Sequence, residues 1–321
     1  MKLLTSIPEP ASSPNRLSLN RPASPANTTL RGTGAALLTV TIWAGWIVAT
    51  RFAGETAISP ITTGLFRYGP PALLLAPVWW RCGLLPRRCP WWIVAIMVSG
   101  SGAPFFLLAA WAMKSVPAAA VGALLPGTMP LWAALIGALV AGTHFQRRQC
   151  LGYGTIALGI VLMVAATSGT ATDRISEAAL LLAAAGWAAY SHAFKRSGLT
   201  PLQGAAVTAA WSFLLHLLLA ACFGTDLYGL APHVLVLQIT AQGLLSGLIA
   251  IFSYGVAVRH LGAARAAAFS ALAPALAMLG GACLLGERPG PAELGAMLLV
   301  TLGVALANGF SLPVHRASSP G

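Results

Sequence analysis

The segment at residues 123–144 reads ALLPGTMPLWAALIGALVAGTH and is apolar almost throughout, although it contains Pro126 and Pro130. Inside a soluble helix, each proline removes a backbone hydrogen bond and clashes with the preceding turn, which costs about 3 kcal/mol. In a membrane bundle, neighbouring helices and hydroxyl side chains satisfy the carbonyl groups that proline leaves free. A related segment, FSALAPALAMLGGACLLGE, recurs at 269–287. The pair predicts proline-broken membrane helices that occur twice in the chain.

The composition of the chain predicts the same surroundings. Of 321 residues, 57% are apolar and 8% are charged, and the mean hydropathy is +0.77. Average soluble domains carry about 25% charged residues, so seven acidic side chains do not solvate a soluble protein of this size. The net charge of +12 is spread in ones, twos and threes between apolar runs. A nucleic-acid partner needs basic residues gathered on one face, so we predict a lipid bilayer and no nucleic acid.

The cysteines and the chain ends carry no sign of a secreted domain. Five cysteines are an odd number and give no disulfide framework, and neither a metal site nor a cofactor is predicted. Residues 1–32 are rich in Pro, Ser and Asn without a signal-peptide apolar region, so we expect a disordered cytoplasmic arm. Residues 311–321 are expected to form a cytoplasmic tail.

Ten apolar runs follow the arm, each close to the length of about 20 helical residues that crosses the hydrocarbon core. Barrel strands alternate apolar and polar residues, whereas these runs are continuous, which predicts helices. Some runs are long or broken by Pro or Gly, so nine or eleven crossings are alternatives. The runs are 33–53, 60–80, 91–112, 117–140, 149–167, 176–194, 202–223, 234–258, 263–285 and 291–310.

The distribution of Lys and Arg predicts which side of the membrane each loop occupies. With the N-terminus inside and the distant Lys2 omitted, 13 basic residues fall in cytoplasmic segments and 4 on the opposite side. An even number of crossings returns the C-terminus to the cytoplasm. The location that follows is a bacterial-type inner membrane, crossed many times, with both termini in the cytoplasm.

The two halves of the chain resemble each other at an offset of about 144 residues. WAGWIVATRFAG (43–54) aligns with WAAYSHAFKRSG (187–198), so that Arg51 corresponds to Lys195, and Pro130 corresponds to Pro274. Chance similarity among Ala-, Leu- and Gly-rich helices is the alternative. A repeat of five spans inserts its second copy in the opposite direction, which is a recurrent plan of secondary transporters. We therefore predict an all-α integral membrane protein with ten transmembrane helices, arranged as two inverted five-helix repeats at 33–167 and 176–310.

The ends of the two copies resemble the EamA-type transporters of the drug/metabolite transporter superfamily. The second copy ends LAPALAMLGGACLLGERPGPAELGAMLLVTLGVAL (272–306), with Pro274, Glu287, Gly295 and Gly303 in the family pattern. The first copy keeps Pro130, Gly152 and Gly159, but His144 stands where the family usually has Glu. Arg67 falls where such proteins tend to carry an Arg in the second span. The resemblance implies the fold and the export or exchange of small metabolites, including amino acids and their analogues.

Aromatic side chains on two spans are candidates for the walls of a substrate cavity. Trp43, Trp46 and Thr50 share one helical face, and Trp187 with Tyr190 repeats that face in the second half. The alternative role is packing or an interfacial aromatic belt.

A polar stripe on the eighth span is the second candidate lining. Gln238, Gln242 and Ser246 recur at i, i+4 and i+8, and Ser253 and Tyr254 extend the stripe. An amide that faces lipid is costly, so the stripe is expected to face a wet cavity or to bond a neighbouring helix.

Arg67 is the one basic residue well inside a predicted span. A charge there costs about 2.5–3.5 kcal/mol on insertion scales and needs a partner or water. It is a candidate for binding a substrate carboxylate or phosphate. Backbone carbonyls or Glu55 are the structural alternatives.

Proton coupling has only weak candidates in the sequence. His192 and His216 lie within spans and titrate near neutral pH, although structural hydrogen bonding is the commoner role. No Asp or Glu lies deep in any predicted span. Exchange and facilitated diffusion are therefore alternatives to proton antiport. Pro130 and Pro274 are predicted hinges or gates in the fourth and ninth spans.

These features predict a secondary transporter that exports a small metabolite, such as an amino acid or an analogue, by alternating access. A broad-specificity drug exporter of the same fold is the alternative. A membrane-embedded enzyme would need paired acidic residues or a histidine-rich metal cluster, and the sequence has neither. The predicted partners are a small-molecule substrate and the bilayer, with a monomer or homodimer as the functional unit.

Overall fold

The computed structural model describes residues 25–56, 58–142, 144–167, 169–261 and 263–308, and the regular structure in these ranges is helical. The first half contains α1 (Pro25–Glu55), α2 (Pro60–Leu74), α3 (Ala76–Cys82), α4 (Trp91–Ser101), α5 (Ala103–Ala112), α6 (Ala118–Leu124), α7 (Met129–Ala141) and α8 (Arg147–Thr167). The second half contains α9 (Ala171–Ser197), α10 (Pro201–Phe223), α11 (Pro232–Gln238), a π-helical segment (Ile239–Ile249), α12 (Ala250–Leu261), α13 (Ala263–Ala268), α14 (Ala273–Leu285) and α15 (Pro291–Ala307). Short 3₁₀ turns occur at Leu227–Gly229 and Phe269–Leu272.

Seven helical segments are long and apolar enough to cross a membrane, and α15 is apolar but shorter, at 17 residues. The prediction of an all-helical membrane protein is confirmed for the described residues. The remaining two predicted spans correspond to the consecutive helices α2 and α3 and to α9. Ten crossings therefore stay a prediction. The seven segments are Thr28–Glu55, Trp91–Ala112, Ala118–Val140, Arg147–Thr167, Pro201–Phe223, Pro232–Leu261 and Arg265–Leu285.

The first helix begins earlier than predicted. Helix α1 starts at Pro25, so the last part of the predicted disordered arm is helical. Proline is well suited to a helix start because its missing N–H is unpaired there in any case. This early turn also packs closely on α12, since a Cβ added to Gly32 would lie 2.7 Å from the side chain of Leu261. The rest of the predicted arm and the predicted tail 311–321 lie outside the described residues.

Helices pair in the same way in both halves. Helix α1 packs against α12 and α14, and α9, its counterpart in the repeat, packs against α4 and α7. Helix α8 packs against α15, and α2 packs against α10, so each of these helices contacts its own counterpart. This pairing pattern is what a two-fold relation between the halves requires, and it places α1, α2, α5 and the π-helical segment at the contact between them.

The repeated prolines begin new helices. Residues 125–128 form turns between α6 and α7, and Pro130 lies in the first turn of α7. A 3₁₀ turn precedes α14, and Pro274 lies in the first turn of that helix. A first-turn proline is tolerated because its N–H has no intrahelical partner to lose. Both spans are therefore interrupted at equivalent places, whereas their predicted role as hinges or gates stays a hypothesis.

Candidate functional site

Two prolines and two glycines bring α2 against the π-helical segment. Pro70 and Pro71 lie inside α2 and leave two carbonyl groups of the preceding turn without an N–H partner. A Cβ added to Gly243 would lie 2.6 Å from the Phe66 carbonyl oxygen, and one added to Gly247 would lie 2.5 Å from Pro71. Only glycine fits at such distances. The freed backbone of α2 therefore meets a glycine surface, and the side chain of Arg67 enters the interior beside it.

Arg67 lies between the two halves and is about nine-tenths buried. Its Nη1 donates to the Ser246 hydroxyl, with 3.1 Å between the two atoms. The centre of the guanidinium lies 4.7 Å from the ring of Trp46, 5.4 Å from that of Phe106 and 5.7 Å from that of Tyr68. Aromatic faces stabilise a cation electrostatically, by about 0.5–2 kcal/mol each. The charge is therefore surrounded by rings and one hydroxyl.

No carboxylate of the described residues compensates this charge. In the described part of the chain, Arg67 forms no ion pair, and its Nε has no hydrogen-bond acceptor. The alternative partner Glu55 is bound instead by Arg51, at 3.4 Å. The indole N–H of Trp46, on the ring that faces Arg67, is likewise a buried donor without an acceptor among the described atoms. Two unpaired donors on adjacent side chains are suited to an anion that comes from outside the chain.

A chain of hydrogen bonds completes the polar surroundings of Arg67. The Gln238 amide nitrogen donates to the Ala49 carbonyl at 2.9 Å, and the Gln242 amide nitrogen donates to the Thr50 hydroxyl at 3.0 Å. Gln238, Gln242 and Ser246 are all buried. We define the Arg67 cluster by its six members: Trp46, Thr50, Arg67, Gln238, Gln242 and Ser246.

The predicted aromatic walls meet through a residue that the sequence did not single out. The ring of Phe105 on α5 lies 6.3 Å from Trp46 and 5.3 Å from Trp187. Tyr190 continues the row at 5.4 Å from Trp187. The aromatic residues of the two halves are therefore connected, and Phe105 is the bridge between them.

Two of the candidate residues lie in a different place. Trp43 contacts Tyr254 on α12, with 5.7 Å between the ring centres. Within the described ranges, neither ring lies over Arg67, although Trp43 is on the same helix as Trp46. This pair therefore belongs to the α1–α12 packing.

Both candidate histidines are engaged by the protein. His216 Nδ1 lies 2.8 Å from the Ser212 carbonyl oxygen, whereas its Nε2 is buried beside Gly64 without a hydrogen-bond partner among the described residues. His192 Nε2 lies 3.0 Å from the Ala133 carbonyl oxygen. These contacts match the structural role of a membrane histidine, and proton coupling through either stays an untested prediction.

Phe106 and Tyr68 complete the surroundings of Arg67 and were missed by the sequence analysis. Phe106 follows a helix break, because α4 ends at Ser101 and α5 begins at Ala103. The Tyr68 hydroxyl donates to the Ser101 carbonyl at 3.1 Å and so helps to satisfy that break. The signal that was available is the segment SGSGAPFF (99–106), in which small residues and a proline precede two aromatic residues.

A second charged group lies at one end of the bundle. Arg51 Nε donates to Glu287 at 2.7 Å, and Arg51 Nη1 donates to the Met113 carbonyl at 2.8 Å. The other Glu287 oxygen accepts from the Ala118 backbone N–H at 2.8 Å. We refer to Arg51 and Glu287 as the outer ion pair, since both lie on the side predicted to be extracytoplasmic. It joins α1 of the first half to the α14–α15 connection of the second.

Apolar helices paired in two equivalent halves around a buried cation are the architecture of a multi-pass membrane transporter. The EamA-like transporter family matches residues 30–165 and again residues 174–309, and the chain belongs to this family. The resemblance predicted from Pro274, Glu287 and the small-residue pattern is confirmed.

A curated relative and a solved structure are similar to most of the chain. The probable terminal-alkyne amino-acid exporter of Streptantibioticus cattleyicolor is 29% identical over 300 residues, which cover 88% of this chain and 99% of that protein. A protein of known crystal structure is similar with a TM-score of 0.59 at 19% identity, over 88% of this chain and 97% of the other. At that identity, the structural likeness shows the fold alone.

Proposed function

We propose that the protein exports a small carboxylate-bearing metabolite, an amino acid or an amino-acid analogue, by alternating access. The observation that carries the proposal is Arg67, a buried cation between the two halves with no counterion among the described residues. A charge inside a membrane bundle is costly and marks a substrate or ion pathway by default. The relative that is named as an amino-acid exporter supports the same substrate class.

The carboxylate is assigned to Arg67 Nε and to the indole N–H of Trp46. Both are buried donors without a partner in the described structure, and a carboxylate offers two acceptor oxygens. Binding neutralises the cation, which makes the loaded site cheaper to keep in the membrane interior than the empty one. The positive charge also opposes cationic drugs, which favours this substrate class over a broad-specificity drug exporter.

We infer ten crossings with both termini inside, as the Lys and Arg distribution predicts. Loops predicted on the outer side touch one another: Asp226 accepts from the Ser59 backbone N–H at 2.8 Å and from the Thr62 hydroxyl at 3.1 Å. On the predicted inner side, the Asn308 amide donates to the Ala267 carbonyl at 3.3 Å. A cysteine placed at Tyr228, which is fully exposed, tests the assignment. In a background whose native cysteines are replaced, a membrane-impermeant maleimide must label it in intact cells.

The proposed function is tested by counterflow exchange with the purified full chain in proteoliposomes. The panel contains L-norvaline, L-propargylglycine, L-glutamate and L-arginine, with uridine as a solute that lacks a carboxylate. We expect exchange of at least one amino acid and none of uridine. No exchange of any carboxylate-bearing solute contradicts the proposal.

Arg67→Met separates a binding role from a structural one. We expect at least tenfold slower exchange, together with thermal stability equal to or above that of the wild type, because an uncompensated buried charge has been replaced by an apolar chain of similar length. Arg174→Met, at an exposed arginine near the start of α9, is the matched control and must exchange normally. Normal exchange by Arg67→Met overturns the assignment.

A further inference from the structure

We propose that the side-chain oxygen of Gln242 binds the ammonium group of the substrate, so that Arg67 and Gln242 together recognise both charges of an α-amino acid. This inference rests on the proposed function, which assigned only the carboxylate. It adds a specificity-determining residue for zwitterions.

The first step is an acceptor without a donor. Gln242 is fully buried, and its Oε1 has no hydrogen-bond partner among the described residues. Buried polar atoms in folded proteins are nearly always paired, so an acceptor left free in the interior calls for a donor from outside. An ammonium group is such a donor, since it has three hydrogens and no acceptor capacity.

The second step is that neighbouring groups determine which end of the amide is free. The Thr50 hydroxyl donates to the Trp46 carbonyl at 2.7 Å, so its oxygen receives the Gln242 nitrogen as an acceptor. The Gln238 nitrogen donates to a backbone carbonyl, and its oxygen therefore faces the same Gln242 nitrogen at 3.3 Å. Reversing the Gln242 amide would set oxygen against oxygen at both contacts. The free atom is therefore the oxygen.

The third step relates Gln242 to Arg67 through Ser246. Ser246, which bonds Arg67, lies about one turn after Gln242 in the π-helical segment, so the two side chains lie on the same face. Gln242 and Arg67 are also linked through α1, since the Gln242 nitrogen donates to Thr50, the Thr50 hydroxyl donates to the Trp46 carbonyl, and the Trp46 ring lies against Arg67. The carboxylate and the ammonium of an α-amino acid are carried on one carbon, so the proposal requires their two partners to lie on this shared face.

The fourth step concerns the choice of an amide over a carboxylate. A glutamate at this position would form an ion pair with Arg67 and neutralise the site in the absence of substrate. The amide oxygen accepts from an ammonium while leaving Arg67 charged for the carboxylate. The buried cluster therefore holds two free donors, which suit the carboxylate of an α-amino acid, and one free acceptor, which suits its ammonium group.

The test compares three ligands of one carbon skeleton in proteoliposomes that contain the full chain. Labelled L-norvaline is exchanged against unlabelled L-norvaline, and L-norvaline, pentanoate (which lacks the amino group) and butylamine (which lacks the carboxylate) compete. For the wild type we expect L-norvaline to compete at least tenfold better than either analogue.

The informative variant is Gln242→Met, which keeps the side-chain length and removes the free oxygen. We expect competition by L-norvaline to weaken about tenfold, while competition by pentanoate stays unchanged. Thr240→Ala is the matched control, since Thr240 lies in the same π-helical segment but is exposed. It must preserve the wild-type preference.

The outcomes distinguish this inference from the function on which it rests. Equal competition by L-norvaline and pentanoate in the wild type overturns the role of Gln242 and leaves the carboxylate assignment standing. Equal weakening of both ligands in Gln242→Met does the same, because it indicates a structural defect. If neither L-norvaline nor any other amino acid is exchanged by the wild type, the proposed function fails and the inference fails with it.

Discussion

Two arginines of this protein face opposite electrostatic situations. Arg51 lies at the outer end of α1, bound to Glu55 and Glu287 and to two backbone carbonyls. Arg67 lies in the interior with one hydroxyl and three aromatic rings. Solvent lowers the cost of a charge more at Arg51, which lies at the end of the bundle, than at Arg67 in the interior. Arg67 is nevertheless the arginine without a counterion among the described residues. Glu55 and Glu287 therefore neutralise the cation at the end of the bundle and not the one in the interior.

At the same scale, Asp226 predicts a pH dependence of stability. Hydrogen bonds from Ser59 lower the pKa of the Asp226 carboxyl below its usual value, and the Thr62 hydroxyl adds to the shift. A group whose pKa is lower in the folded protein stabilises it above the unfolded pKa, about 3.9, and loses this contribution as the pH falls through the folded pKa.

We therefore expect Asp226→Ala to lower the free energy of unfolding by about 1 kcal/mol at pH 7, as for one exposed set of hydrogen bonds. The difference from the wild type should stay constant down to about pH 5 and shrink below pH 4. Thermal unfolding of both proteins in detergent between pH 7 and pH 3 measures it. A difference that grows on acidification contradicts the assignment.

The sequence located residues whose side chains are costly in lipid, although their binding role stays a prediction. Arg67 and Gln242 were singled out because neither tolerates lipid, and the structure brings them into one cluster. Trp43 was chosen for its spacing from Trp46 and packs elsewhere, against Tyr254. Spacing fixes the face of a helix, whereas the neighbour opposite that face depends on how helices pair. Phe105 was missed for the same reason, because nothing in the local sequence distinguishes a phenylalanine that joins two aromatic groups from one that only packs in the core.

At the scale of elements, α8 and α15 approach each other through glycine. A Cβ added to Gly152 would lie 2.6 Å from the Ala307 backbone nitrogen and 2.8 Å from the Gly303 carbonyl oxygen. Backbone atoms cannot move aside as a flexible side chain does. The two helices must therefore separate if either position gains a side chain.

We expect Gly152→Ala to destabilise the protein by about 1–3 kcal/mol, the usual cost of overpacking. Gly154→Ala is the control on the same helix, since nothing lies within 4 Å of the Cβ it would add, and its unfolding temperature should be unchanged or slightly higher. Tryptophan fluorescence during thermal unfolding in detergent reports both. Equal losses in the two variants would mean that the close approach of α8 and α15 does not stabilise the fold.

The type of helix within each span was predicted less completely than the position of the span. Apolar length located the helices but not the change to a π-helix at Ile239–Ile249, where the chain packs closely against α2. Pro70, Pro71, Gly243 and Gly247 are all visible in the sequence, yet only the packed structure shows that they meet. A change of helix type that accompanies contact with another helix is not marked in the sequence of either helix.

At the scale of the whole molecule, the two ends of the bundle carry different charged residues at positions that correspond in the repeat. Arg51 corresponds to Lys195, and Glu287 corresponds to His144 after a one-residue slip, so the counterpart of the outer ion pair is Lys195 with His144. Both of these residues are exposed, and neither forms a hydrogen bond or ion pair within the described ranges. Under the proposed inverted arrangement, the outer end is closed by opposite charges and the cytoplasmic end is not.

The asymmetry predicts that the outer ion pair restricts access from outside. Ala119 is nearly fully buried and lines a cavity beside Glu287 and Glu293. In a background whose native cysteines are replaced, we expect Ala119→Cys to react slowly with an impermeant maleimide in cells. Adding Glu287→Gln should raise that rate several-fold, because loss of a charge-assisted bond weakens closure by about 1.5–3 kcal/mol at most.

Two further variants decide whether the effect belongs to the ion pair and to its missing counterpart. Glu293→Gln is the control, since this carboxylate lines the same cavity and bonds the Gly290 backbone N–H instead of Arg51; it should leave the labelling rate unchanged. His144→Glu gives Lys195 a carboxylate partner at the cytoplasmic end. This variant should slow exchange about three- to tenfold by holding that end closed. Faster labelling with Glu293→Gln, or unchanged exchange with His144→Glu, would show that the unequal ends do not set the balance between the two access states. Under the proposed outward transport, the unequal charges at the two ends favour the state that is closed on the outer side.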